Sequence, residues 1–166
     1  MTNLMDGFQR DISYRIGRRE DGRLLLSATM RDRYHDIVLE ALVLETTLVI
    51  DAITAEFRRC PASECHAAVQ RLHLLSGTII GKGLNRRIAE ALGGEPGCGN
   101  LRNLLLGLLP LAMNLKAAGG FEDEEAMMGN IREQLRGTCA GYPRQASDDG
   151  YTEASGDAAS GDSFSV

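Results

Sequence analysis

The sequence predicts an α+β fold: a four-stranded antiparallel meander followed by four helices packed on one face. Three observations carry that prediction. Two stretches near the start alternate apolar with polar or small residues on either side of Asp21-Gly22. A period of two is the mark of a strand, and Asp-Gly between two such runs is a strong hairpin signal. Beyond Pro61 the apolar spacing changes to threes and fours, the period of a helix.

Taken in order, Ile12, Tyr14 and Ile16 form the first alternating set, and Leu24, Leu26, Ala28 and Met30 the second. Polar Arg31-Asp32-Arg33 interrupts. Residues 37–44 and 48–57 then make a second strand pair around Glu45-Thr46-Thr47. Between Ala62 and Leu75 the apolar set is Cys65, Ala68, Val69, Leu72 and Leu75, which reads as a helix. Gly77, Gly81 and Gly83 punctuate a loop, Asn85 caps a short helix, and Gly93-Gly94 ends it. The longest helix is expected from about Asn100 to Ala118, with Leu101, Leu104, Leu105, Leu108, Ala112 and Leu115 on one stripe. Pro110 should kink it, since proline removes a backbone donor and clashes with the preceding turn. A last helix starts at Glu122-Asp123-Glu124-Glu125 and ends near Arg132 and Arg136, charges that complement the helix dipole.

This divides the chain into an N-terminal extension (1–9), a single α+β domain (10–141) and a disordered acidic tail (142–166). At 166 residues the chain is long enough to bury a core without staples. The net charge of −5 comes from the tail, where Asp148, Asp149, Glu153, Asp157 and Asp162 face no basic residue after Arg144. The neutral remainder argues against nucleic-acid binding by phosphate neutralisation. Lys82 and Lys116 are the only lysines, so the basic side chains are overwhelmingly Arg, the fork that suits anions. No apolar run reaches the roughly 20 residues of a membrane span. The first residues lack the basic and apolar regions of a signal peptide. The expectation is a cytoplasmic protein in which Cys60, Cys65, Cys98 and Cys139 stay reduced.

Chemistry-bearing residues are few. Cys65 lies in the first turn of its helix, where backbone donors favour the thiolate; its place on the Leu72/Leu75 stripe equally suits a small buried hydrophobe. Cys98, between Gly97 and Gly99, enters the long helix beside Asn100, a good N-cap; a tight loop and a thiolate site are both open. Cys60 and Cys65 are spaced Cys-x4-Cys with no second pair, a weak zinc signal. His35-Asp36 follows the Arg/Asp interruption, a ligand or base or only a solvated turn. His66 and His73 are too far apart along a helix to share a metal. Gly77-x3-Gly81-Lys82 lacks the following Ser/Thr of a phosphate loop.

Over residues 10–118 the chain resembles a bacterial family of unknown function. The shared features are an Arg-rich opening hairpin, a His-Asp before the third strand, and a Pro-x-x-x-Cys helix start (Pro61 to Cys65). The family's Gly-Cys-Thr-His-Leu segment reads Gly97-Cys98-Gly99-Asn100-Leu101 here, with an amide for an imidazole. The architecture is more loosely similar to iron–sulfur cluster assembly scaffold proteins. That resemblance puts His35 and Asp36, Cys65, Gly81-Lys82 and Cys98 at the scaffold's site positions, with His35 in place of a Cys.

The leading expectation is a binding or accessory domain with a small metal site lined by His35, Asp36, Cys65 and Cys98. Thiolate and imidazole would select zinc, iron or an iron–sulfur cluster over magnesium or calcium. Its partner would be an unknown protein or a second copy of the chain, with no nucleic acid and no membrane. The rivals are a thiol enzyme with Cys98 as nucleophile and His35 or Asp36 as base, and a structural or oligomerisation domain whose cysteines are core.

Overall fold

A computed structural model of the chain describes residues 5–144. The expectations for the first four residues, and for the acidic tail after Arg144, lie outside the described residues. Four strands, β1 (Arg10–Arg18), β2 (Arg23–Asp32), β3 (Asp36–Leu44) and β4 (Ile50–Arg59), pair antiparallel in chain order, a simple meander. A 3-10 segment (Ser63–Leu75) follows, then helices α1 (Leu84–Leu92), α2 (Gly99–Leu108), α3 (Leu111–Ala118) and α4 (Glu124–Gln134). The chain divides into two compact units, the first ending at Ile131 and the second beginning at Arg132.

The meander follows from its turns. Gly22 adopts φ 76°, a left-handed conformation that a side chain disfavours. Asp21 accepts from the Arg23 amide and guanidinium, which fixes the turn chemistry at that hairpin. Between β3 and β4 the left-handed position is taken by Leu48 (φ 58°), a buried residue, whose amide donates to the Leu44 carbonyl at 2.8 Å. A leucine there is strained, and the burial of its side chain offsets the strain.

One face of the sheet is the core. Leu24, Leu26, Met30, Ile37, Leu39 and Val43 are all fully buried, and each such side chain stabilises the fold by roughly 1.5–3 kcal/mol. The 3-10 segment packs on β4 and α1, α1 packs on α2, and α2 covers β1 and β2. Leu101, Leu104, Leu105 and Leu108 form the expected stripe at 0 % exposure. Gly107 sits in that stripe for a local reason: a Cβ there would lie 2.3 Å from the Tyr14 hydroxyl oxygen. The phenol thus reaches between α2 and β1, and burial pushes its pKa up.

Three local details differ from the sequence reading. The segment at Cys65 is 3-10 rather than α-helical, so its residues stack three to a turn. Pro110 does more than kink: α2 ends at Leu108 and α3 begins at Leu111, because proline cannot donate and its ring crowds the previous turn. The α1 N-cap is Gly83 at φ 88°, and Asn85 lies inside the helix. Among the described residues, no helix is long and apolar enough to cross a membrane.

Candidate functional site

Antiparallel pairing brings four strand ends together. Arg10 at the start of β1 pairs with Asp32 at the end of β2, and Asp36 at the start of β3 pairs with Arg59 at the end of β4. The short β2–β3 turn is closed by the Asp32 amide donating to the His35 carbonyl at 2.9 Å. Asp32 organises this turn. Its Oδ1 accepts the backbone amides of Tyr34 and His35, both at 2.7 Å, the geometry in which an aspartate mimics a backbone turn.

The same carboxylate reaches two further groups. His35 Nδ1 lies 3.0 Å from Oδ1, and Arg10 contacts Oδ2 through Nε at 2.8 Å and Nη2 at 2.7 Å. The Asp32 side chain is 0 % exposed. Burial would by itself raise its pKa; the Tyr34 amide, the His35 ring, Arg10 and the His35 amide outweigh it and hold the carboxyl well below the usual range. An ionised carboxylate cannot donate, so the hydrogen between the two belongs to His35 Nδ1. Nε2 is left without a hydrogen-bond partner among the described residues, on a side chain 15 % exposed.

Arg10 also links this turn to the helices. Its Nη1 donates to Asn100 Oδ1 at 3.2 Å, so the amide at this position serves as an acceptor rather than as a helix cap. The N-cap of α2 is Cys98, half-buried, with no side-chain capping bond. Gly97 before it has no room for a side chain: a Cβ would meet the Leu92 carbonyl oxygen at 2.0 Å, whereas at Gly99 nothing lies within 4 Å. On the neighbouring strand, Asp36 Oδ1 is buried with no hydrogen bond, 3.5 Å from Arg31 Nε.

Cys65 has a different neighbourhood. Cys60, just past β4, donates its thiol to the Ala62 carbonyl at 3.2 Å, and the Cys65 amide donates to that same oxygen at 3.2 Å. Cys60 Sγ lies 3.6 Å from His66 Nε2, and the His66 ring meets Phe57 edge-on with centroids 5.8 Å apart. Burial, first, and then the neighbouring Cys65 sulfur push the Cys60 thiol up.

Of the four residues singled out from sequence, His35 and Asp36 are neighbours at the start of β3. Cys98 enters α2 two residues before Asn100, and Cys65 belongs with Cys60 and His66. Among the described residues no group of three or more His, Cys, Asp or Glu side chains is arranged to hold a metal ion. Asp32, Arg10 and Asn100 belong to this network without a sequence signal for that role. Arg31-Asp32-Arg33 looks like a solvated interruption, and only the strand register puts Arg10 opposite Asp32.

A family-wide sequence profile, described as protein of unknown function (DUF2889), matches residues 8–114, from just before β1 into α3. No curated protein and no solved structure matches the chain. The matched span holds Arg10, Asp32, His35, Asp36, Cys65, Cys98 and Asn100, and by that match the chain belongs to DUF2889, a family of proteins of unknown function.

Proposed function

We propose that this is a binding or accessory domain whose ligand-facing group is the His35 imidazole. The observation that carries the reading is Asp32: a fully buried carboxylate that holds His35 through Nδ1 and leaves Nε2 free. A carboxylate behind one ring nitrogen fixes the tautomer and orients the other nitrogen, which is how proteins prepare a histidine to meet a borderline metal ion. Zinc and iron are the ions such a nitrogen favours. Asp36, Cys65 and Cys98 supply donors of the right kind, but no three such groups stand preassembled among the described residues. The domain therefore offers an incomplete ligand set, suited to completion by a partner protein or a second copy.

Metal analysis of freshly purified protein tests this. Zinc or iron is expected to copurify, to be lost on His35→Ala, and to be retained on Cys139→Ser. Metal-free protein whose His35 ring resonances do not respond to added zinc would overturn the reading.

The Arg10 bridge from Asp32 to Asn100 favours a second reading, since it ties the turn of His35 to the helix that Cys98 enters. There Cys98 is a nucleophile and His35 its base. The rate of Cys98 alkylation against pH separates the two: a thiolate plateau below neutral pH that His35→Ala abolishes belongs to the enzyme alone.

A further inference from the structure

The residues buried in β2 and β3, and the α2 helix that covers β2, lie on one face of the sheet. On the other face the side chains of all four strands are half-buried or exposed. The solvated face of an antiparallel sheet is ordinarily polar. Here Leu25, Val38 and Leu42 stand at its centre, and none of them packs against the core. Strand pairing puts Leu25 beside Leu42, with Gly17 and Ala52 at the two ends of the row. A hollow of about 150 Å³ opens among Leu25, Leu42, Ala52 and their neighbours. The adjacent row carries Arg15 on β1 and Glu40 on β3, with Ser27 between them. Neither charged side chain makes a hydrogen bond or ion pair among the described residues.

We propose that this open face is the interface of a homodimer in which two sheets stack about a two-fold axis parallel to the strands. Stacked sheets lie about 10 Å apart with their strands within about 30° of each other. An axis along the strands, midway between β2 and β3, lays β1 of one copy over β4 of the other and keeps each row level with itself. Leu25 then meets the partner's Leu42, and the symmetry makes that contact twice. Arg15 arrives over the partner's Thr54, between the partner's Glu40 on the same row and the partner's Glu56 on the next. Each unpaired charge of the face thereby finds an opposite charge. An axis across the strands would lay β1 on β1 and bring like charges together, so the charge pattern selects the first arrangement. The size also fits. Four strands about 4.8 Å apart and nine residues of about 3.3 Å give a face of roughly 600 Å² in projection. With its side chains in relief, such a face is of the order of the ~800 Å² that each partner buries in a stable complex. The interface uses no residue of the His35 site.

Sedimentation velocity of the full chain over a concentration series tests this. The parent is expected to approach twice the 18.0 kDa of one chain as concentration rises. Leu42→Asp should sediment as a monomer while keeping the parent's far-ultraviolet circular dichroism. Arg15→Glu and Glu40→Arg should each raise the dissociation constant roughly tenfold, because like charges then meet across the axis. The double variant, with the two charges exchanged, should return to the parent's value. That recovery is a result that misfolding cannot imitate, so the charge series decides the matter even if Leu42→Asp fails to fold. A parent that stays monomeric up to about 100 µM, leaving the face to a different protein, overturns the proposal. So does a dimer that all three single substitutions leave intact, which would form through another surface. A double variant no tighter than the single ones would also overturn it.

Discussion

Two turns at the same end of the sheet, Asp32–His35 and Cys60–His66, each set an imidazole beside a reactive partner, and they do so by opposite means. In the first, the partner is a carboxylate with 0 % exposure that also accepts two backbone amides and an arginine. In the second it is a half-buried thiol with one carbonyl contact, beside an exposed ring. The difference is one of freedom. Moving Asp32 removes the acceptor of Arg10, of the His35 ring and of two backbone amides at once, so that turn holds a single geometry. Moving Cys60 disturbs only weak thiol contacts, so that turn is the less tightly held of the two.

The largest expected effect is therefore at Asp32. Asp32→Ala should destabilise the protein by about 1–3 kcal/mol in denaturant melts, the usual result of leaving the partners of a withdrawn acceptor unsatisfied. A loss below about 1 kcal/mol would put both turns in the same class. Acid sharpens the contrast. The folded pKa of Asp32 lies below its unfolded value near 4. Its contribution is complete above that pH and is lost as pH falls toward the folded value. The parent should weaken steadily below about pH 4 in melts across an acid series, and Asp32→Asn should show a shallower acid limb.

The bridge to the helices ranks next. Gly97→Ala should cost roughly 1–3 kcal/mol, as for other overpacked sites, because its Cβ would lie 2.0 Å from the Leu92 carbonyl oxygen. Gly99→Ala, with open space around it, should leave the thermal midpoint unchanged or raised. The smallest effect is expected at the thiol turn. Cys60→Ser should stay within about 1 kcal/mol of the parent in the same melts, since it removes no buried charge and leaves no cavity. A larger loss would mean that this turn, too, is locked.

The architecture was largely legible in the residues. Alternation of Leu24, Leu26, Ala28 and Met30 identifies the buried face of β2, because side chains of a strand point to opposite faces in turn. The Leu101–Leu108 stripe does the same for α2. Site legibility was uneven. Cys98 and His35 stand out as residue types; His35 contacts Asp32, while Cys98 lies two residues before Asn100, the residue that Arg10 reaches. Asp32 itself was hidden, since an aspartate between two arginines looks the same in sequence whether it is solvated or buried. Cys60 is visible in the sequence only as half of a Cys-x4-Cys spacing, and its contacts with Ala62 and His66 come from the course of the turn.

What the sequence determined alone was local: which stretches alternate, where Asp21-Gly22 and Pro110 interrupt them, and which side of each element is apolar. These depend on a residue and its near neighbours, through turn chemistry, backbone restriction and the hydrophobic effect. What only the tertiary structure decided was partnership across distance. Arg10 meets Asp32 because β1 and β2 pair in one register, and it reaches Asn100 because α2 packs over those strands. A one-residue slip of β1 against β2 would turn Arg10 to the other face, away from the carboxylate, while the local Asp32–His35 contact stayed in the turn. Burial then does the rest, since a carboxylate withdrawn from water must take its hydrogen bonds from whatever the register has placed beside it.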